Sequence, residues 1–421
     1  MNVLIIGSVW PEPTSSGAGL RMMEMIHLFQ KQDWSVTFAS AAERTEHTSG
    51  LDKMAVRSES IAVNDSRFDR FIRQLQPDLV LFERFSMEEQ FGWRVEKHCP
   101  DAMRVIETID LHCLRQARYL QHKRQPGVAL VVAQSDLYNE IAVREIAAIH
   151  RSDLSILVSD DEMTLLQTQF ALSADILHLC PFMFEPQQLS LSSPSFEQRS
   201  GFITIGNFRH APNWDAVLWL KQQIWPRIRS QLPEAALHIY GAYAPPKAFA
   251  LHQPAAGFHI LGRAEHVDTV MHQSRVCLAP LRFGAGIKTK LADAMLNGTP
   301  NVTTSVGVEG MRKGLPWAGA VANDAETLAD AAVSLYQHGA DWREAQANGF
   351  EIVRRLFDAR NNGEALIRRL LDVKENLAGH RQKQFTGLML RHHHQRSTEF
   401  MSRWIETKNI LSSSNPEASS R

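Results

Sequence analysis

The sequence predicts an α/β protein made of two parallel, doubly wound domains that face each other across a cleft. Three observations point there. The chain of 421 residues is too long for one hydrophobic core. Short apolar runs alternate with helical patterns from the first residue onward, the signature of a parallel sheet covered on both faces. The periodicity breaks once near the middle, at Phe184–Ser200, where Pro186, Pro194 and a cluster of Ser and Gln form a linker-like stretch.

In the first half, Val3–Ile6, Val36–Ala39, Leu79–Phe82, Arg104–Glu107 and Ser155–Val158 read as strands. Arg21–Lys31 and Asp136–His150 read as helices, with Met22, Met25, Ile26 and Phe29 on one side of the first and Leu137, Ile141 and Ile146 spaced for burial on the second. After the break, strand signals recur at Gly201–Ile205, Ala236–Tyr240, His259–Leu261, Val276–Ala279 and Asn301–Thr304. Helices are expected at Trp214–Ser230, His266–Gln273, Ile287–Asn297, Ala325–His338, Trp342–Phe357 and Gly363–Leu377. The expected domains are therefore 1–185, a linker 186–200, and 201–378 with the final helices, followed by a polar tail 379–421. Within the tail, Phe385–Leu411 can form an amphipathic helix carrying Arg391, Arg396, Arg403 and the run His392–His394; consecutive histidines cannot share one helix face, so a plain solvated surface is expected over a metal site, with docking or a membrane surface as the lesser alternative, and Ser412–Arg421 is expected to be disordered.

A hydrophobic share of 44% with 22% charged residues is globular composition, and a net charge of -1 gives no global attraction to nucleic acid. Any anion site must be local. Cys99, Cys113, Cys180 and Cys277 are scattered without a C-x-x-C pair, which suits buried thiols in a reducing cytoplasm. Met1–Gly7 lacks the basic flank and length of a secretory signal, and no apolar run approaches the roughly 20 residues that span a bilayer. A soluble protein, at most peripheral at the inner membrane face, is expected.

The chemistry concentrates in Pro280–Pro300, where a strand end, a glycine-rich turn, a helix and a stop glycine follow one another. Gly284 and Gly286 let backbone amides approach a ligand, and the positive end of a helix starting near Ile287 reaches the same spot, a place for a diphosphate. Lys288 adds a full positive charge where the dipole already favours an anion, at some cost to an unliganded helix. Lys290 and Asp293 lie three positions apart, open to either a surface ion pair or a ligand role. Earlier, Arg209 follows the strand Gly201–Ile205 with Asn213 nearby, and its guanidinium suits bidentate phosphate contact. Gly17 and Gly19 close a Ser-rich loop after the first strand, and the absence of G-x-G-x-x-G there argues against a nicotinamide dehydrogenase. Glu107–His112 ends another strand.

The Pro280–Pro300 segment resembles the donor-binding signature of family 4 glycosyltransferases with the GT-B fold, two Rossmann-like domains across a cleft: a glycine-rich turn, a lysine, then an acidic residue followed by Ala-Met and a Gly-x-Pro turn. Gly307–Gly310, with Glu309, resembles its continuation. The resemblance implies that Lys288 and Arg209 hold the donor diphosphate, Lys290 supports it, Asp293 accepts hydrogen bonds from the ribose, and His112, in a segment similar to the family's Asp-x-His, donates to a sugar hydroxyl. It implies a retaining transfer from a nucleotide sugar to a glycan, lipid-linked or other hydroxyl acceptor, in cell-surface polysaccharide or glycoconjugate synthesis, with no metal or other cofactor. Two departures stand out: many members carry glutamate where this chain has Asp293, and a second glutamate where it has Ala285. A nucleotide-sugar 2-epimerase of the same fold and a catalytically silent nucleotide-sugar-binding module therefore stay open.

Overall fold

The computed structural model describes residues 1–125, 132–185, 189 and 193–414. The protein is α/β with two wholly parallel sheets. The first contains β1 (Asn2–Gly7), β2 (Ser35–Ser40), β3 (Arg57–Ser60), β4 (Leu79–Glu83), β5 (Met103–Glu107), β6 (Leu154–Leu157) and β7 (Leu177–Leu179), in the order β3-β2-β1-β4-β5-β6-β7. The second contains β8 (Ser200–Ile205), β9 (Leu237–Tyr240), β10 (Phe258–Gly262), β11 (Ser274–Ala279), β12 (Asn301–Thr303) and β13 (Gly319–Val321), in the order β10-β9-β8-β11-β12-β13. Each sheet reverses its winding next to its own first strand, between β1 and β4 and between β8 and β11, and ligands of such sheets bind beyond the strand ends at that reversal. This is the two-domain Rossmann-like arrangement of GT-B proteins.

Central strands form because Val3–Ile6 and Leu79–Phe82 bury both faces completely. The three strands that the apolar pattern does not signal, β3, β7 and β13, are short edge strands with half-exposed residues and so no continuous apolar run. The expected helix Asp136–His150 is two, Gln134–Leu137 and Glu140–Arg151, because Asn139 turns out of the helix and caps the second piece by accepting from the Ala142 amide at 3.0 Å. Similarly, Trp214–Ser230 opens into a π-helical turn at Leu220–Ile224 just before Pro226, whose missing amide cannot continue the α-helical ladder.

The largest correction concerns the C-terminal helices. The helix Ala359–Glu375 does not stay with the second domain. Its Leu366, Ile367, Leu370 and Val373 pack with Val3, Ile5, Met25 and Ile26 in the core of the first. The chain crosses back at Phe357, beside its first crossing at Phe184: the Phe184 amide donates to the Phe357 carbonyl at 2.7 Å, and Ala359 to that of Phe184 at 3.0 Å. The tail is likewise no loose appendage. A helix Phe385–Ser414 runs along the helices Phe85–His98 and Glu140–Arg151, so Ser412–Ser414 are helical; residues 415–421 and Pro186 of the expected linker lie outside the described residues. What holds the tail is charge. Asp153, fully buried, accepts from Arg381 twice at 2.8 Å and from Arg391 at 3.0 Å, beside Arg104. Burial opposes its ionisation, yet the hydrogen bonds from Arg381 and the charges of Arg104 and Arg391 hold its carboxyl well below the usual carboxylate range.

Candidate functional site in the interdomain cleft

The strand ends of the two sheets face each other and enclose a cavity of about 1140 Å³. The domains touch on both sides of it. At one side Arg118 binds Glu309 through both guanidinium nitrogens, at 2.6 and 2.7 Å, and also donates to the Gly284 carbonyl at 2.8 Å. At the other, Tyr243 donates to the Glu12 carboxylate at 2.8 Å and Asn207 to the Ser15 carbonyl at 3.2 Å. The cleft is closed in this state.

On the second-domain wall, helix Thr289–Leu296 opens its N-terminus onto the cavity, which Lys288, Thr289, Lys290 and Asp293 line. Lys288 precedes the first turn as its N-cap, and does not sit within that turn as the sequence suggests. Its ammonium is buried and held by the carbonyls of Gly286 and Ala285, the latter at 3.3 Å. Lys290 donates to Asn213 Oδ1 at 2.7 Å. Neither lysine has a carboxylate within ion-pair distance among the described residues, so the Lys290–Asp293 pair that the spacing allows is not formed. Burial pulls both lysines down to about 8; for Lys288 the charge of Glu309 partly offsets it. The Asp293 carboxylate has no hydrogen-bonded or ion-pair partner among the described residues, and burial pushes it up to about 7, with the Glu24 charge adding to the shift. Two cations and one carboxylate thus face a cavity with their charges unmatched by protein.

The first-domain wall is different, because its charges are paired. Asp110 binds Arg115, Arg84 donates to Ser8 Oγ at 2.8 Å, and Arg21 sits 3.2 Å from Glu107. Arg84 (φ 71°) and Ile109 (φ 64°), both on this wall, hold left-handed backbone that side chains disfavour, a strain typical of functional sites.

His112 does not reach the cavity. Its ring lies behind Asp110, 3.5 Å from Oδ1, edge-on to Phe85, and burial lowers it to about 4, so it is neutral. Two other histidines line the cavity, His266 and His210, the latter in the turn after β8; sequence reasoning passed over His210. Arg209 does line the cavity, with its guanidinium 3.7 Å above the Tyr243 ring.

Gly17, Gly284 and Gly286 serve closure, and Gly19 shapes its own loop. The Gly286 amide donates at 2.7 Å to Glu162 of the first domain, so it is not free for a phosphate, and Gly286 has φ 66°. A Cβ there would come within 2.8 Å of Asp110 Cβ. Gly284 (φ 145°) offers its carbonyl to Arg118. A Cβ on Gly17 would meet Thr289 Oγ1 at 2.1 Å across the cleft, and one on Gly19 would meet the Glu12 backbone at 2.5 Å. Glu309, held by Arg118, does not line the cavity. Arg118 and Glu162, which sequence reasoning missed, carry no local motif; their partners are far along the chain.

Residues 199–338 match the family described as Glycosyl transferases group 1, a span that covers the second sheet. A protein of Klebsiella pneumoniae described as an uncharacterized 44.6 kDa protein in the cps region is 23% identical over 165 residues, 38% of this chain; the match spans 42% of that relative's length. Among solved structures, sucrose-phosphate synthase from Thermosynechococcus elongatus superposes with a TM-score of 0.66 at 15% identity, covering 88% of this chain and 99% of that one. Anabaena HepE, in complex with UDP and glucose, gives 0.66 at 14% identity, covering 88% and 100%. WaaG, a glycosyltransferase involved in lipopolysaccharide biosynthesis, gives 0.59 at 12%, covering 86% and 97%. A Glycosyl transferases group 1 domain with glycosyltransferase neighbours of the same fold supports a transferase.

Proposed function

We propose that the protein transfers a sugar from a nucleoside diphosphate sugar to a hydroxyl of a glycan or lipid-linked acceptor, with retention, as family 4 glycosyltransferases do. The observation that carries the reading is the unmatched charge of Lys288, Lys290 and Asp293 around one helix N-terminus in the closed cleft. A donor diphosphate between the two ammoniums and the helix end restores their balance, and Asp293, one turn further on, takes the ribose hydroxyls. Arg209 reaches the diphosphate from the cavity's other edge, and the acceptor sits against Asp110, Arg115 and Arg84. As the sugar leaves, negative charge grows on the diphosphate where these cations already point, which is where electrostatic catalysis has its largest effect. We assign the charge neutralisation to side chains, so turnover is expected to persist in chelator.

A structural neighbour was solved with UDP, so UDP is the first probe, with GDP beside it. Binding should raise the melting temperature of the protein. Asp293→Asn keeps the size of the side chain but loses its charge, and should lower donor affinity by about 2 kcal/mol. A donor lacking the ribose hydroxyls should bind wild type and Asp293→Asn almost equally. If Asp293→Asn still discriminates between the two donors as strongly as wild type, the ribose role is wrong.

A further inference from the structure

The helix Phe385–Ser414 contributes nothing to the cleft, and only one side of it is used. Its inner side is fixed to the first domain: Arg391 donates to the Arg151 carbonyl at 2.8 Å, Ser402 accepts from Arg94 at 3.2 Å, and Glu406 accepts from the Ser66 amide at 2.8 Å. Its outer side is apolar. Eight of the seventeen exposed large apolar side chains among the described residues lie between Phe385 and Leu411, including Phe400 (71% exposed) and Trp404 (63%). At about 100° per residue, Met389, Phe400, Trp404 and Leu411 fall within roughly 60° of one another around the helix axis. An exposed, apolar-rich stripe of this kind, interrupted by His393 and Thr407, marks a contact surface.

Charge selects the partner. Arg396 and Lys408 are exposed on either side of the stripe, and the Lys408 ammonium lies 5.3 Å from the Trp404 ring centre. Lys97 and Arg403 share the single carboxylate of Glu399, which leaves one more positive charge unmatched. The glutamates of this helix, Glu399 and Glu406, are both engaged by those partners and by Ser66. A second copy of the chain would set these cations against their own kind. A planar, negatively charged surface that accepts apolar side chains complements the stripe and its flanks together. We propose that this helix docks the protein on a bilayer containing anionic phospholipid, with Phe400, Trp404 and Leu411 at the acyl boundary and Arg396 and Lys408 on headgroup phosphates. Among the described residues no helix is long and apolar enough to cross a membrane, so this one lies flat. Docking through the first domain sets the acceptor side of the cleft near lipid; that last step rests on the proposed function, and the docking itself does not.

The test is sedimentation of the full chain with vesicles of phosphatidylcholine alone or of phosphatidylcholine with phosphatidylglycerol. Wild type should pellet with the anionic vesicles and much less with the neutral ones. Phe400→Ser with Trp404→Ser should lower partitioning by about tenfold or more, from lost apolar burial. Arg396→Glu with Lys408→Glu should do the same and flatten the salt dependence. The altered side chains are exposed, so the melting temperature and the UDP response should not change. A missing UDP response in wild type would sink the proposed function and leave docking untouched. Docking is overturned if neither vesicle pellets the protein, if Phe400→Ser with Trp404→Ser pellets as well as wild type, or if wild type forms a dimer that this substitution abolishes.

Discussion

The two walls of the cleft are built from the same architecture, strand ends and glycine turns at a winding reversal, yet they treat charge in opposite ways. On the first-domain wall the charged groups that are not fully exposed have protein partners, among them Arg21 with Glu107, Arg115 with Asp110 and Arg84 with Ser8. On the second-domain wall Lys288 and Lys290 rest on carbonyls and an amide oxygen, and Asp293 on nothing among the described residues. Burying a charge without a counter-charge is costly, and a fold keeps such groups where a ligand completes them. Under the proposed function, the donor's charge belongs to the second-domain wall and the paired first-domain wall faces the acceptor.

The sharpest way to break this comparison is to unpair the paired wall. Glu107→Ala removes one of the two carboxylates that lie 3.2 Å from the buried Arg21, the other being Glu24, and should cost about 1 to 3 kcal/mol of stability, the value of a charged hydrogen bond lost in the interior. Chemical denaturation reads that loss, while UDP affinity of the folded protein should stay near wild type. Were affinity lost in step with stability, the first wall would be part of the donor site.

Gly286→Ala tests closure. The left-handed backbone and the contact with Asp110 make a Cβ there incompatible with the closed cleft, and about 1 to 3 kcal/mol of strain follows. Turnover should fall by tenfold or more on about 1.4 kcal/mol per decade, with scattering showing a larger radius of gyration and UDP binding nearly retained. An unchanged radius would show that the turn adapts without opening.

The second-domain wall should respond to acidity. With Lys288 and Lys290 near 8 and Asp293 near 7, the lysines are charged below that value and lose charge as pH rises through it, whereas Asp293 is charged above its value and loses charge as pH falls. Affinity for an intact nucleotide sugar, whose diphosphate does not titrate here, should therefore peak between pH 7 and 8. It should weaken above the peak by roughly tenfold per unit for each lysine. A flat profile from pH 6 to 9 would place neither group at the donor.

The sequence shows the parts of this molecule that are local. Buried runs such as Val3–Ile6 announce strands, and the Gly-Ala-Gly sequence ahead of Lys288 announces a turn. Periodicity states that Leu366, Leu370 and Val373 are buried but not against which sheet, and they pack on the first. The sequence places His112 after a strand end and does not single out His210, and only the fold decides that the first ring hides behind Asp110 while the second lines the cavity. The Arg118–Glu309 bridge joins residues 191 positions apart, and nothing near either one points to the other.

Titration calorimetry of UDP and GDP into wild type and Lys288→Ala tests the central claim most directly. A diphosphate bound between the lysines predicts that Lys288→Ala loses about 2 kcal/mol of affinity, the value of a hydrogen bond to a charged group. Its melting temperature without ligand should be unchanged or higher, because a buried, desolvated ammonium has been removed. Equal affinity in the two proteins, or a melting temperature lowered by the substitution, would make Lys288 a structural residue and contradict the assignment of the donor to this wall.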